Sequence, residues 1–409
     1  MLEVNKYANV YKLLLGRIAT NIADSLFYMA VLWYFKETTN SPFLVAIIFA
    51  ISSGIDMISF SFGPLIDRLS IKKLLKLATI VQAIISIVIV ALLVINFHNI
   101  VIDIGILLLF TLSTILSSVI YPAEYKLLPI FVSKKEVLRF NGLFQVTYRV
   151  LDMVLDAGVT VIITLISIKS TIILSAVIFA LALYFYGNLK INRMAKDILE
   201  DDEYFTGSYI KDILVGWTTL RKEKNILELI LPIGLTNFFY GVFVVGLPYF
   251  AQSYVKNSAV GYGALLLASS VGSILGAFLV QRFKLGKEDM RIFVAICFLG
   301  AGIFRIIVPL TINLNVMILL CSSAISSAWI TMMNTNFEAL VQTSFSSAVL
   351  GRVQTINDSI LSIMIPIGTM VGGWIVKTLG SLSTQYIYGV ALLLSAIYYF
   401  AIIKRKKHN

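Results

Sequence analysis

The chain has 409 residues, 58% of them hydrophobic and 13% charged, with a formal net charge of +11 and a mean hydropathy of +0.90. That make-up excludes an ordinary soluble domain and marks an integral membrane protein. The positive balance fits Lys and Arg held on one side of a membrane better than a nucleic-acid surface. Two cysteines (Cys297, Cys321) lie in apolar runs, and two histidines (His98, His408) lie in a turn and a tail. This excludes a disulfide framework, a paired-cysteine metal motif and a histidine cluster, so no cofactor or metal is expected.

About 20 residues cross roughly 30 Å of hydrocarbon. Polar breaks place twelve spans near 11–35, 42–66, 74–96, 100–122, 140–167, 171–189, 227–253, 260–281, 291–310, 315–337, 352–377 and 385–403. The first is long, carries Asn21 and Asp24 and has no small-residue cleavage site behind it, so it reads as a retained span rather than a secretory signal. With the N-terminus inside, 26 of the 33 Lys and Arg fall on the inner side, four on the outer side and three (Arg17, Arg149, Arg305) within spans. Both termini are therefore expected in the cytoplasm.

Lys190 to Asn225 is the one long polar segment and contains the acidic run Glu200 to Glu203. It divides the chain into 1–189, a six-helix bundle; 190–225, a linker; and 226–409, a second six-helix bundle. Ile210, Ile213, Leu214, Trp217 and Leu220 follow helical spacing, which suits an amphipathic helix on the membrane surface or a solvated linker helix. The halves also repeat. Gly142-Leu-Phe-Gln145 recurs as Gly351-Arg-Val-Gln354, an offset of 209, and Gly63 and Gly276 head similar stretches at an offset of 213. The expected fold is an all-α membrane protein of twelve transmembrane helices in two pseudo-symmetric six-helix bundles.

Charges inside spans are costly and usually face a bundle interior or a watery cavity. Arg17, Asn21 and Asp24 share one helical face, as do Gln145, Arg149, Asp152 and Asp156; span two adds Asp56. Four acids against two arginines leave an excess of negative charge, and holding a proton on one carboxyl relieves it. Asp24 and Asp152 are the leading proton carriers, with Arg149 tuning its neighbour. The alternative is a pair of structural ion pairs locking spans one and five together. The second half is thinner: Asn237 and Tyr240, Arg305, Asn334, Asn336, Asn357 and Asp358. Its asparagines suit interhelical hydrogen bonds, and Phe238, Phe239, Tyr240 and Phe243 suit either a lipophilic pocket or plain packing. At the 209 offset Arg149 falls on Asp358, a contact that a charge swap could test.

The loop Gly63-Pro-Leu-Ile-Asp67-Arg68-Leu-Ser-Ile-Lys72-Lys73 resembles the signature of the major facilitator superfamily. Gly63, Asp67, Arg68 and Lys72 match it, while Ser70 and Ile71 replace a glycine and a basic residue. An ordinary basic loop is the plainer alternative. Gly351-Arg352, Pro366, Gly368, Ser41-Pro42 and the segment ending Arg221-Lys222-Glu223-Lys224-Asn225 are similar to the drug:proton antiporter branch that includes macrolide-efflux-type proteins. Asp156-Ala157-Gly158 stands where exporters often carry Gly-Pro, which favours a more charged cavity.

The resemblance implies a monomeric, proton-coupled exporter of a small organic or amphipathic solute, in the cell membrane among lipid, working by alternating access. It implies a gate at Gly63, Asp67, Arg68, Lys72 and Lys73, with Glu124 and Glu338 in gate networks at span ends. The alternatives are dedicated export or import of one metabolite, such as a siderophore or peptide, and, from another class, a membrane-embedded enzyme or receptor. No phosphate-binding glycine loop and no nucleophile paired with a base support an enzyme or an ATP-driven pump.

Overall fold

A computed structural model describes residues 7–39, 41–58, 70–95, 100–132, 134–190, 217–255, 258–282, 290–345 and 347–408. The described residues are helical almost throughout. In chain order the long helices are α1 (Ala8–Tyr34, continued by a π-helical turn Phe35–Thr39), α2 (Pro42–Ile58), α3 (Ile71–Ile95), α4 (Ile100–Phe131), α5 (Lys134–Ile166) and α6 (Ile168–Gly187). They are followed by α7 (Lys224–Tyr254), α8 (Ser258–Val280), α9 (Met290–Leu310), α10 (Val316–Ser344), α11 (Ser347–Ser362), α12 (Met364–Leu379) and α13 (Ser381–His408). Hydrocarbon explains the monotony, because a backbone that water cannot solvate must satisfy its own N–H and C=O groups.

Each expected span falls at least in part on a described helix, with α11 and α12 together making the eleventh; residues 59–66 of the second lie outside the described residues. Among the described residues ten helical stretches are long and apolar enough to cross a membrane; Pro42–Ile58 and Ala157–Ile166 are shorter apolar helices. The fourth candidate span, Ile100–Glu124, ends close to the expected 122, while helix α4 itself runs on to Phe131. Helix α5 starts at Lys134 rather than 140, and α10 runs to Ser344 rather than 337. The eleventh span is broken at Ile363, three residues before Pro366, whose missing N–H and bulky ring disturb the turn at Ser362. Of the expected linker helix, Ile210, Ile213 and Leu214 lie outside the described residues; Trp217 is exposed and Leu220 buried.

The described residues fall into two compact units, Met1–Thr38 with Ile58–Thr206, and Thr39–Met57 with Gly207–Asn409. In the first, α6 packs on α1 and α3, and α4 packs on α3. Leu13, Leu75, Ala78, Ile120, Ala123, Leu127, Ala182 and Tyr186 belong to one apolar cluster in it. In the second, α13 packs on α7 and α9, and α10 packs on α9 and α8. The α8–α10 contact is close enough that a Cβ on Gly272 or Gly276 would collide with the backbone of Ala324 or Ala328, the small-residue packing of membrane helices. By packing, α2 belongs with the second unit, where Gly373 of α12 lies against Pro42, Phe43 and Ala46.

The pairings α1·α6, α3·α6, α3·α4 and α1·α5 recur as α7·α13, α9·α13, α9·α10 and α7 with α11 and α12. Backbone geometry carries the repeat further. Ser167, the single residue joining α5 to α6, has φ +79° and ψ 160°; Gly380, the single residue joining α12 to α13, has φ +79° and ψ 167°. They are 213 residues apart, as are Lys134 and Ser347, which open α5 and α11. The duplication thus aligns here at 213, one helical turn from the 209 of the Gly-x-x-Gln match, and Arg149 then falls on Ser362 rather than Asp358.

Candidate functional site

The described polar groups of the first unit gather around α1. Arg17 and Thr20 lie one turn apart on it and Asp24 one turn further on. Arg17 Nη1 donates to Glu124 Oε2 at 3.2 Å, with the two side chains 9% and 1% exposed. Glu124 Oε1 accepts from the Tyr186 hydroxyl at 2.5 Å, and that hydroxyl lies 3.4 Å from Thr20 Oγ1. The guanidinium carbon of Arg17 also sits 4.9 Å from the centre of the Tyr148 ring. Tyr186 reaches this place because Gly16 leaves room for its ring; a Cβ there would lie 2.9 Å from Tyr186 Cδ1 and Cζ.

Farther along the same face, Asp24 accepts from Gln82 Nε2 at 2.8 Å and from Ser117 Oγ at 2.5 Å. Gln82 is buried, and its Oε1 has no partner among the described residues; the same holds for Asn21 Nδ2. Arg17 acts electrostatically on Asp24 and on Asp152, and Tyr148 donates to Asp152. One guanidinium is therefore paired with Glu124 of α4 and acts at longer range on Asp24 of α1 and Asp152 of α5. Arg149 and Asp156 lie on α5, but their side chains are outside the described residues, so Arg17 is the described cation beside Asp152.

The remaining expected residues are more dispersed. Asp56 is exposed on α2. Asp358 accepts from Gln354 Nε2 at 3.0 Å and Asn357 Nδ2 at 3.1 Å, both on its own helix. Asn237 Nδ2 donates to the Leu361 carbonyl at 2.7 Å, an interhelical bond close to the break at Ile363. Tyr240 is exposed beside Phe243 and Tyr388. Of the expected gate, Gly63, Asp67 and Arg68 lie outside the described residues, and Lys73 is exposed. Lys72 Nζ donates to the Leu189 carbonyl at 2.5 Å, and Lys12 Nζ to the Asn188 carbonyl at 3.0 Å, two cations at the C-terminus of α6 where the helix dipole favours them. Glu338 is exposed on α10 and accepts from Gln342 at 3.4 Å. Glu124, by contrast, is buried in the Arg17 cluster and not at a helix end.

Tyr186, Tyr148, Gln82, Ser117 and Thr20 are site residues that sequence reasoning passed over. Gln82 carried a usable signal, a lone amide in an otherwise apolar run. The others are common in membrane helices and gave none.

A family model described as Major Facilitator Superfamily matches residues 13–369. Macrolide efflux protein A of Streptococcus pyogenes is 22% identical over 391 residues, covering 92% of both chains. Among solved structures, a bacterial homologue of the iron transporter ferroportin in an inward-facing state has a TM-score of 0.71 at 13% identity, covering 96% of this chain and 98% of that one. The nucleoside transporter NupG has a TM-score of 0.70 at 12% identity, covering 96% and 99%. The xylose transporter XylE from E. coli, in an inward open conformation, has a TM-score of 0.66 at 12% identity, covering 97% and 95%. At these identities the structural likenesses speak for the fold alone.

Proposed function

The chain belongs to the major facilitator superfamily and is a multi-pass membrane transporter of small molecules, not an enzyme; on that premise we propose that it exports an organic or amphipathic solute in exchange for protons. The observation that carries the proton half is the cluster of Asp24, Glu124 and Asp152 around Arg17. Three carboxyl groups share one guanidinium. The cluster can exchange a proton with water while its other carboxylates keep the cation neutralised, as a reversible carrier requires. Asp24 is the carrier in this reading, since its bonds from Gln82 and Ser117 are to uncharged groups, and Asp152 is its relay.

The efflux half rests on the likeness to macrolide efflux protein A over most of both chains. In this reading residues 1–189 and 226–409 alternate access about a cytoplasmic linker, 190–225. The protein acts as a monomer in the cell membrane with both termini inside, and Gly63, Asp67, Arg68 and Lys72 form the gate. Transport of one metabolite is the second reading; Arg305, a fixed buried charge in the second unit, favours it over a greasy multidrug pocket.

The test uses purified protein in liposomes with an imposed pH gradient, with erythromycin and ethidium as probe solutes. Asp24→Asn and Asp152→Asn are expected to abolish gradient-driven transport while each variant still elutes as a folded protein. Full gradient-driven transport by both variants would remove the proton role assigned to these acids.

A further inference from the structure

Arg305 of α9 is the counterpart in difficulty, though not in position, of Arg17. It is 3% exposed, yet among the described residues its guanidinium makes neither a hydrogen bond nor an ion pair, and its Nε is buried without a partner. What surrounds it is aromatic. The guanidinium carbon lies 4.5 Å from the centre of the Phe243 ring and 5.7 Å from that of Tyr388. These two rings are stacked at 5.0 Å, and Tyr240 lies 6.0 Å from Tyr388 and 6.1 Å from Phe243. The side chain cannot easily swing away, because α13 approaches closely: a Cβ on Gly389 would stand 3.5 Å from Arg305 Cγ and 2.6 Å from Ile306 Cγ1.

Gln385 supplies a second, independent observation. It shares a face of α13 with Tyr388 and Gly389, one turn away. It is wholly buried, and both its amide nitrogen and its amide oxygen lack partners among the described residues. Among the described residues the bundle thus holds a cation without a counter-ion, and on the neighbouring helix a donor and acceptor without partners. Cation–π contact recovers only part of the desolvation of a buried guanidinium. Such a group persists where something else brings the opposite charge. A guanidinium fork matches a planar carboxylate bidentately, and the flanking rings suit an apolar body attached to it.

We propose that Arg305, with Gln385 and the rings of Tyr240, Phe243 and Tyr388, binds the carboxylate of an organic acid that the transporter carries. The proposal rests on the transport of small organic solutes and adds its charge class; proton coupling and the direction of transport are separate from it.

The experiment is thermal unfolding of the purified full chain in detergent at constant ionic strength, with benzoate, phenylphosphonate and the neutral isostere benzamide as probes. Benzoate is expected to raise the melting temperature by several degrees at tens of millimolar, as ligand linkage requires, and benzamide to leave it unchanged. Arg305→Gln is expected to abolish the shift and Arg305→Lys to keep a reduced one. An equal benzoate shift in Arg305→Gln, or none in the wild type, overturns the proposal; stabilisation by phenylphosphonate alone overturns the carboxylate assignment. Ligand-free Arg305→Met, close in volume and apolar, should melt at the wild-type temperature or above it. A drop of several degrees would mean that Arg305 holds the bundle together and has no ligand to await. Proton-driven export of ethidium in vesicles, run on the same preparation, separates the two readings: its failure with benzoate binding intact sinks export of cationic drug-like solutes and leaves the anion site standing.

Discussion

Replacing Arg17 with Met removes the guanidinium that Glu124, Asp24 and Asp152 share, and the outcome can be set against the geometry. At an N···O separation of 3.2 Å, an effective dielectric near 20 gives an attraction of about 5 kcal/mol. Desolvating both ions offsets much of that, so the pair's net contribution is small, whereas stripping one partner leaves a buried charge and costs about 3–5 kcal/mol. Glu124 then keeps the Tyr186 hydroxyl at 2.5 Å, a bond to a charged acceptor worth about 1.5–3 kcal/mol, which places Arg17→Met toward the lower end of that range. The double variant Arg17→Met/Glu124→Met leaves no orphaned ion in the pair and is expected to cost about 1 kcal/mol or less, so that with Arg17→Met and Glu124→Met each at about 3 kcal/mol the coupling is about 5 kcal/mol. Reversible unfolding in mixed micelles, run as a double-mutant cycle, measures all three. Additive costs, or a loss below about 0.5 kcal/mol in Arg17→Met, would refute the reasoning, since the pair would then be no more than a solvated contact.

Ser167 holds a backbone conformation that only glycine adopts freely, at about 1–3 kcal/mol. Ser167→Gly gives up the cap from Ser167 Oγ to the Ser170 N–H, at 3.4 Å, and some chain entropy, about 1 kcal/mol together; a net gain of roughly 1 kcal/mol is expected, read as a higher melting temperature. Gly380→Ala, with nothing within 4 Å of the new Cβ, should lose about 1–3 kcal/mol by conformation alone, and an equal melting temperature would count against it. Gly16→Val should push the Tyr186 ring off Glu124 and lose about as much as Tyr186→Phe, about 1.5–3 kcal/mol. Combined with Tyr186→Phe it should lose little more, and full additivity in thermal unfolding would show that the glycine serves another contact.

The apolar runs and their breaks were enough to locate the helices, because hydrocarbon leaves a backbone few alternatives. What they could not locate were the places where a charge belongs to the interior. Glu124 looked like the end of a span, since its cation, Arg17, is 107 residues away in the chain, and no periodicity within α4 points to it. Asp24 was legible as a carboxyl in an apolar run, but its donors Gln82 and Ser117 lie on α3 and α4. Arg305 was equally visible. That no acid answers it is a property of three-dimensional surroundings, which sequence does not display.

The duplication turns these differences into an argument about purpose. At the 213-residue offset that Ser167 and Gly380 fix, Tyr186 falls on Tyr399, also buried; Tyr399 donates its hydroxyl to the Leu229 carbonyl of α7 at 2.8 Å, where Tyr186 donates to Glu124 of α4. Asp24 falls on Asn237, whose amide is used up on the Leu361 carbonyl. Arg17 and Glu124 fall on Ile230 and Phe337, both buried and apolar. The second unit therefore folds with the same helix pairings and without that ion pair, so the fold itself does not demand it. Buried ion pairs contribute little net stability against apolar residues of similar size, which is what the proposed proton exchange at the Arg17 cluster requires: a pair kept for something other than the fold. Arg305 poses the complementary case, a cation in the second unit with no carboxyl partner among the described residues. Among the described residues the carboxyls around Arg17 outnumber that cation and Arg305 lacks an anion, and each imbalance is of the kind that the proposed mobile species, a proton in the first unit and an organic anion in the second, would complete.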